Sequence, residues 1–269
     1  SVLMMENKVV TKKVLERAGI SVPGGYEYTS PEAGMADYRM YAGKPVVIKP
    51  KSTNFGLGIT ILKHNYDETD FKAALQIAFE HDNTVLIEKF IPGREFRIFI
   101  INDEVVGILH RVPANVTGDG VLNIGQLIDR KNEDPLRGKG YRTPLEKIRK
   151  GREEEMFLKQ QGMDFNTVPK EGEVVYLREN SNISTGGDSI DFTDDIDDSY
   201  KAIAVEAAKA LNVKITGLDM MIQDIHAPAT PDNYAIIEMN FNPAIHIHCY
   251  PFKGKNRHLN HKMIRALGF

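Results

Sequence analysis

The sequence predicts an α+β protein made of two lobes, and three observations carry that expectation. The chain has 269 residues, 42% hydrophobic and 26% charged, which is enough apolar material for one large core or two coupled ones. β-rich runs alternate with segments of helical period, and several strand-like neighbours are joined by tight turns, so antiparallel pairs are favoured over a regular βαβ alternation. The pattern changes after Ile91-Pro92-Gly93, which divides the chain into a small lobe, 1–91, and a large lobe, 92–269.

In the small lobe, Val10, Val14 and Ala18 recur four apart within 7–18, a helix ended by Gly19. ISVP reads as a short strand stopped by Pro23, and PVVIKP (45–50) as a strand closed by a lysine. Residues 51–58 are a small-residue loop, followed by the strand ITILK. Phe71, Leu75 and Ala78 mark a helix over 68–81, and TVLIEKF (84–90) is a strand. In the large lobe, 95–101 and 104–112 form a hairpin across Asn102-Asp103. Residues 113–142 read as loop, and Thr143-Pro144 as the start of a charged helix running to about residue 161. EVVYLRE (173–179) is a strand, 180–198 a polar loop, and Ser199 caps a helix through Leu211. Strands at 214–223 and 234–240 follow, with His246 and His248 alternating on a strand or turn beyond them.

Composition excludes several classes. With 34 basic and 37 acidic residues the net charge is −3, against a generic nucleic-acid binder. The single Cys249 rules out an intrachain disulfide and a four-cysteine zinc site, and fits a reducing, cytoplasmic setting. No apolar run approaches the ~18 residues of a membrane span, and no secretory leader pattern is present. The chain begins at Ser1 rather than Met, which raises the expectation of an excised piece of something longer.

The familiar nucleotide motifs fail. Gly254-Lys255 is followed by Asn256 and Gly43-Lys44 by Pro45, so neither is a Walker loop, and Gly56-x-Gly58 lacks the third glycine of a dinucleotide fingerprint. Near the end of the chain, Glu238 and Asn240 lie two apart on one strand and share a face. If that strand pairs with the one before it, Asp219 joins them, a hard-oxygen set suited to magnesium; the plainer alternative is a strand-edge carboxylate and an ordinary Glu-x-Asn. Lys49 closes a strand before Ser52, Thr53, Asn54, Gly56 and Gly58, either an anion nest over phosphates or a hairpin with an exposed lysine. Glu88-Lys89-Phe90-Ile91 crosses between the lobes, where extended backbone can read a purine edge and Glu95 can accept from ribose hydroxyls; an ordinary strand crossing is the alternative.

In order and over nearly the whole chain, these segments resemble the ATP-grasp ligases. NKVVTKKVLERAGISVP resembles the family's first helix, VVIKPKSTNFGLGIT its strand lysine and glycine loop, IEKFIPGREFRIFI its adenine hinge and ribose carboxylate, and GLDMMIQ with IIEMNFNPAIHIH its magnesium site. Two branches are nearest by RVPANVTGDG, NISTGGDSIDFTD and the HIH ending: cyanophycin synthetase, and the C-terminal glutathione synthetase module of bifunctional glutamate–cysteine ligase/glutathione synthetases, which the wording at both ends favours. Ala244 stands where the family usually has glycine, and the small α/β domain that commonly precedes these ligases is not in this chain.

The resemblance implies an ATP-grasp fold with ATP held between two α+β lobes. It implies that Lys8 and Lys49 neutralise ATP phosphates under a lid that includes Asn54 and Gly56, that Glu88, Lys89 and Ile91 meet adenine and Glu95 the ribose, and that Asp219, Glu238 and Asn240 hold Mg²⁺. Arg111, Arg178 and Asn182 fall beside the family's phosphate and acyl segments as catalytic residues, with surface ion pairing the alternative for the arginines. Gly186 and Gly187 let backbone approach the acyl phosphate, and His246 touches a substrate carboxylate. The implied reaction joins γ-glutamylcysteine and glycine with ATP, in a module fused to an N-terminal glutamate–cysteine ligase, with a homodimer left open. The rivals are a cyanophycin-type ligase and a regulatory ATP-binding module without turnover. The remaining features read plainly: Cys249 as a buried small hydrophobe, 188–198 as a solvated acidic loop, and Lys253, Lys255 and Arg257 as a basic tail.

Overall fold

Asn7 opens the first helix, α1 (Lys8–Arg17), by accepting from the backbone N–H groups of Val9 and Val10, and Gly19 closes it at φ 75°. Thr11 and Leu15 are its buried residues. The computed structural model describes residues 5, 7–52, 58–63, 65–178 and 181–268. The ISVP strand does not form. The first strand, β1 (Gly25–Tyr28), lies beyond Pro23, whose ring nitrogen has no N–H for a ladder. Two short helices absent from the sequence reading follow, α2 (Pro31–Ala36) and α3 (Tyr38–Tyr41).

β2 (Val46–Pro50), β3 (Thr60–Leu62) and β4 (Val85–Lys89) complete an antiparallel sheet in the order β1-β4-β2-β3. Helix α4 (Glu68–Phe79) is fixed by a reciprocal capping box between Asp67 and Asp70. It lays Phe71, Ala74, Leu75 and Ala78 into a core with Val46, Ile48, Val85 and Ile87 of the sheet. Fully burying aliphatic side chains of this kind is worth roughly 1.5–3 kcal/mol each, which makes this sheet face a rigid base for what projects from the other.

Two compact units emerge, and neither is continuous in sequence. The first joins Ser1–Glu95 to Asp197–Asn242 and the second joins Phe96–Ile196 to Pro243–Phe269, a division different from lobes 1–91 and 92–269. The first unit therefore also owns α7 (Asp198–Ala210), capped by Asp197 rather than Ser199, and the hairpin of β12 (Ile215–Ile222) and β13 (Tyr234–Asn240).

β5 (Arg94–Ile101), which belongs to the second unit from Phe96 on, pairs with β6 (Glu104–Val112) across Asn102-Asp103, both residues at positive φ as a two-residue hairpin turn requires. β11 (Asp188–Asp191) pairs with β6, a strand inside the stretch expected to be a polar loop. The 113–142 stretch is likewise structured, with β7 (Asn115–Thr117) paired to β10 (Val174–Tyr176) and α5 (Ile124–Lys131) started by an Asn123/Gln126 capping box. Thr143-Pro144 opens no helix. Leu145 donates its N–H to Leu136, β9 (Leu145–Glu146) pairs with β8 (Arg137–Gly138), and α6 (Arg152–Gln160) waits until Gly151, whose N–H the Glu154 carboxylate accepts. The histidine segment is one helical turn, α8 (His246–Cys249), and α9 (Leu259–Ala266) follows. Among the described residues, no helix is long and apolar enough to cross a membrane.

Candidate active site

The antiparallel register places the first cluster. Glu88 on β4 faces Val47 on β2, and Lys49 lies two residues on from Val47, so Glu88 and Lys49 are diagonal neighbours on one face of the sheet. Lys49 Nζ lies 2.8 Å from Glu88 Oε2. Lys12 of α1 pairs with the other oxygen, Glu88 Oε1. The Glu88 side chain is 5% exposed, against 13% for Lys12 and 14% for Lys49. Burial alone raises a carboxylate's pKa, but Lys49 and Lys12 outweigh it and hold Glu88 below its ordinary value. Lys12 goes the other way: burial, then repulsion from Lys49, push it down to about 8 against the attraction of Glu88. The sequence reading missed Lys12, although its placement one helical turn after Lys8 puts both on one side of α1.

The second cluster sits on the β12/β13 hairpin. Asp219 is directly opposite Glu238, and Asn240 is opposite Gly217, so the two carboxylates and the carboxamide share a face as expected. The register shifts between Asp219 and Met220, a bulge next to the carboxylate pair. Asp219 is buried, and Glu238 is 34% exposed with Lys8 Nζ 3.4 Å from its Oε1. Asn240 is held through its backbone by the Thr216 hydroxyl, which donates to the Asn240 carbonyl at 2.9 Å, while the buried Asn240 Nδ2 has no hydrogen-bond partner. Two carboxylates and a carboxamide oxygen on one face make a hard-oxygen set that suits a divalent cation keeping further positions for water and phosphate. Among the described residues no group of three or more His, Cys, Asp or Glu is placed to hold a metal ion, this face included. Met5, Lys8, Thr11, Lys12 and Leu15 line a small cleft with Ile236–Met239.

At the end of β4 the Lys89 N–H donates to the Gly24 carbonyl and the Phe90 N–H to the Pro45 carbonyl, which fixes the backbone as far as Phe90. Gly93 sits at φ 128°, and a Cβ there would lie 2.4 Å from the Ile222 carbonyl oxygen, so only glycine lets the chain pass β12. Glu95 stands at the end of this unit, on β5. Asn54 and Gly56 lie outside the described residues.

The other expected residues belong to the second unit. Arg178 is held by α6: its Nε donates to Glu154 Oε1 at 2.7 Å and it also pairs with Glu153. The Asn182 carbonyl accepts from the Thr185 and Gly187 N–H groups, each at 3.2 Å, in a tight turn, while the Gly186 N–H donates to the Ile183 carbonyl. The glycine pair has a fold reason of its own: a Cβ on Gly186 would meet Ile148 Cα at 2.8 Å, and one on Gly187 would meet the carbonyls of Asn182 and Val112 at 2.8 Å. Arg111 lies on β6 opposite Ser189. His246 is exposed on α8, and the part of its ring that is shielded from water lowers its pKa.

The acidic loop and basic tail are solvated only in part: Asp194, Asp195, Asp198, Lys253 and Lys255 are exposed. Asp188 and Asp191 are buried, and Arg257 grips Asp191 and Asp194 together, with Nε 3.0 Å from Asp191 Oδ1 and Nη1 3.0 Å from Asp194 Oδ1. Cys249 is buried, as read.

Known proteins share the sequence and the fold. Residues 5–130 match the RimK-like ATP-grasp domain. The chain is similar to the glutathione biosynthesis bifunctional protein of Desulfotalea psychrophila, 62% identical over 100% of this chain and 34% of that protein. It is also similar to a bifunctional glutathione synthetase structure from Pasteurella multocida, with 48% identity, a TM-score of 0.77, and coverage of 99% of this chain and 37% of that one. A D-alanine–D-alanine ligase structure from Bacillus anthracis shares the fold at 20% identity, with a TM-score of 0.53 over 89% of this chain and 58% of that one. The chain has the ATP-grasp fold, and its residues 5–130 carry the RimK-like ATP-grasp domain. Within that fold, its likeness is to the bifunctional glutathione biosynthesis proteins, and it spans about a third of their length.

Proposed function

We propose that the chain is the ligase module that joins γ-glutamylcysteine to glycine with ATP, releasing glutathione, ADP and phosphate. The observation that carries this reading is 62% identity to a bifunctional glutathione biosynthesis protein across the whole chain. In that reading the module is fused to an N-terminal glutamate–cysteine ligase and works in the cytoplasm.

A carboxylate is a poor electrophile because oxide does not leave. Transfer of the γ-phosphoryl group to the cysteinyl carboxylate makes an acylphosphate and ADP. The glycine amine then attacks the carbonyl carbon, its C–N bond forms as the C–O bond to phosphate breaks, and the amine proton is lost to solvent. No enzyme nucleophile is needed, so the residues act by positioning and charge stabilisation.

Lys8 and Lys49 neutralise phosphate oxygens, Glu88, Lys89 and Ile91 meet the adenine, and Glu95 meets the ribose. Asp219, Glu238 and Asn240 hold magnesium, which when bound neutralises charge on the transferring phosphoryl group. The lid with Asn54 and Gly56 excludes water, which would otherwise hydrolyse the acylphosphate. Arg111, Arg178 and Asn182 stabilise the acyl phosphate, Gly186 and Gly187 let backbone approach it, and His246 faces a substrate carboxylate. For Arg178 this role is compatible with keeping the buried Glu154 and releasing Glu153, whose side chain is 72% exposed.

ADP release with different acceptors tests the reading. Turnover is expected with γ-glutamylcysteine plus glycine. Turnover only with aspartate or arginine on a poly-aspartate primer would make it a cyanophycin-type ligase, and ATP binding without any acceptor-dependent ADP would make it a regulatory module.

A further inference from the structure

We propose that Lys12 is a positioning residue of the nucleotide site, which keeps the Glu88 carboxylate ionised and in place when Lys49 turns to the phosphates of ATP. The inference rests on the reading above, in which Glu88 meets the base and Lys49 the phosphate chain, and it adds a residue to which that reading gives no task.

The geometry supplies the reason. Glu88 is buried and splits its two oxygens between two ammonium groups, Oε2 to Lys49 at 2.8 Å and Oε1 to Lys12. A lysine at the end of β2 is a point charge on a flexible stem, so a polyphosphate competes for it directly with Glu88. Were Lys49 the sole partner, its departure would leave a buried carboxylate without a counter-charge. Such a group takes up a proton, and a protonated carboxyl loses half its acceptor capacity. Lys12 comes from a different element, α1, so the phosphate-seeking movement of a β2 side chain need not disturb it. The second partner therefore allows one lysine to be exchanged while the carboxylate stays charged and fixed as an acceptor for an exocyclic amino group. Guanine presents an oxygen at that position, and an ionised carboxylate repels it, so the same device favours adenine.

The groups facing Lys12 are Glu88 from β4, Lys49 from β2 and Lys8 from its own helix. Its lowered pKa, about 8, places its charge within reach of ordinary assay conditions.

Binding of ATP and GTP with magnesium, measured by calorimetry on the whole chain, tests the role. Lys12→Met should weaken ATP by about tenfold, the scale of one lost charge-assisted contact, and should narrow the ATP/GTP ratio. Lys12→Arg should restore both. Combining Lys12→Met with Glu88→Gln should weaken ATP no further than Glu88→Gln alone, because Lys12 acts through Glu88. Wild-type-like affinity in a folded Lys12→Met chain, or losses that multiply in the double variant, would overturn the role. Circular dichroism of each variant separates misfolding from lost binding, and a Lys12→Met chain that is unfolded while Lys12→Arg folds but binds ATP tenfold more weakly also overturns it. If the wild-type chain binds no ATP at all, the nucleotide reading itself fails, and the Lys12 role falls with it.

Discussion

Glu88 and Asp188 are both buried carboxylates between two cationic side chains, and they are built for opposite purposes. Asp188 is gripped by Arg137, whose side chain is fully buried, and by Lys131 Nζ at 2.7 Å, with Asn115 Nδ2 adding a third donor at 3.0 Å. Arg137 is itself tied to the fold, donating to the carbonyls of Glu146 at 2.8 Å and Gly186 at 3.0 Å, and Lys131 donates to the Asn115 carbonyl at 2.9 Å. Phe252 covers both cations, 5.1 Å from Lys131 and 5.3 Å from Arg137, centroid to cation. Every partner in that network also fastens a strand or turn. The Glu88 triad is looser: two lysine stems meet one carboxylate, each with a remnant of exposure. A planar, forked guanidinium fixes geometry, whereas an ammonium on a flexible stem can leave for a ligand. Rigid pairing marks where the fold is closed, and exchangeable pairing lies where the proposed function admits a charged ligand.

The largest expected effect breaks the rigid network. Arg137→Met should destabilise the chain by about 3–5 kcal/mol in denaturant unfolding, because it strips a buried carboxylate of its main partner and frees two carbonyls. Lys12→Met should cost about 1 kcal/mol or less, since Lys49 still faces Glu88 and the pair is not fully dry. Equal losses would erase the distinction between the two carboxylates.

A smaller effect sharpens the comparison with a buried group that has no partner. His248 is fully buried against Phe99, its ring nitrogens without hydrogen bonds. Burial first, then Arg97, with His246 and Arg111 in support and Asp191 opposing, push its pKa down to about 3. An unfolded histidine titrates near 6.5, so between those values the unfolded chain holds a proton that the folded chain refuses, and stability falls as pH drops through that window. His248→Leu should flatten the slope of unfolding free energy between pH 6.5 and 4 while changing stability at pH 8 by about 1 kcal/mol or less. An unchanged slope would show that His248 is charged or hydrated in the fold.

The same contrast explains what could be read in the sequence. β2 and β4 are continuous apolar runs, Asn102-Asp103 is a turn signal in itself, and the Asp219, Glu238 and Asn240 face follows from strand period once the hairpin is assumed. These are local patterns. Lys12 was illegible because its partner lies 76 residues away, and a lysine on an amphipathic helix looks solvated. β8 and β9 are two residues long and carry no period. The acidic stretch hid β11 because Asp188 and Asp191 owe their burial to Arg137 and Arg257, at distances of 51 and 66 residues along the chain. Buried charge reads as surface until its counter-charge is placed beside it.

The reaction can be traced by a single atom. The chain is incubated with ATP, magnesium, glycine and γ-glutamylcysteine carrying heavy oxygen in its cysteinyl carboxylate. Attack of that carboxylate on the γ-phosphorus, followed by amide formation, leaves one labelled oxygen in the released inorganic phosphate, detected by mass spectrometry. Label in AMP with release of pyrophosphate would mean adenylation of the carboxylate, and would contradict the acylphosphate chemistry assigned to Lys8, Lys49, Asp219, Glu238 and Asn240.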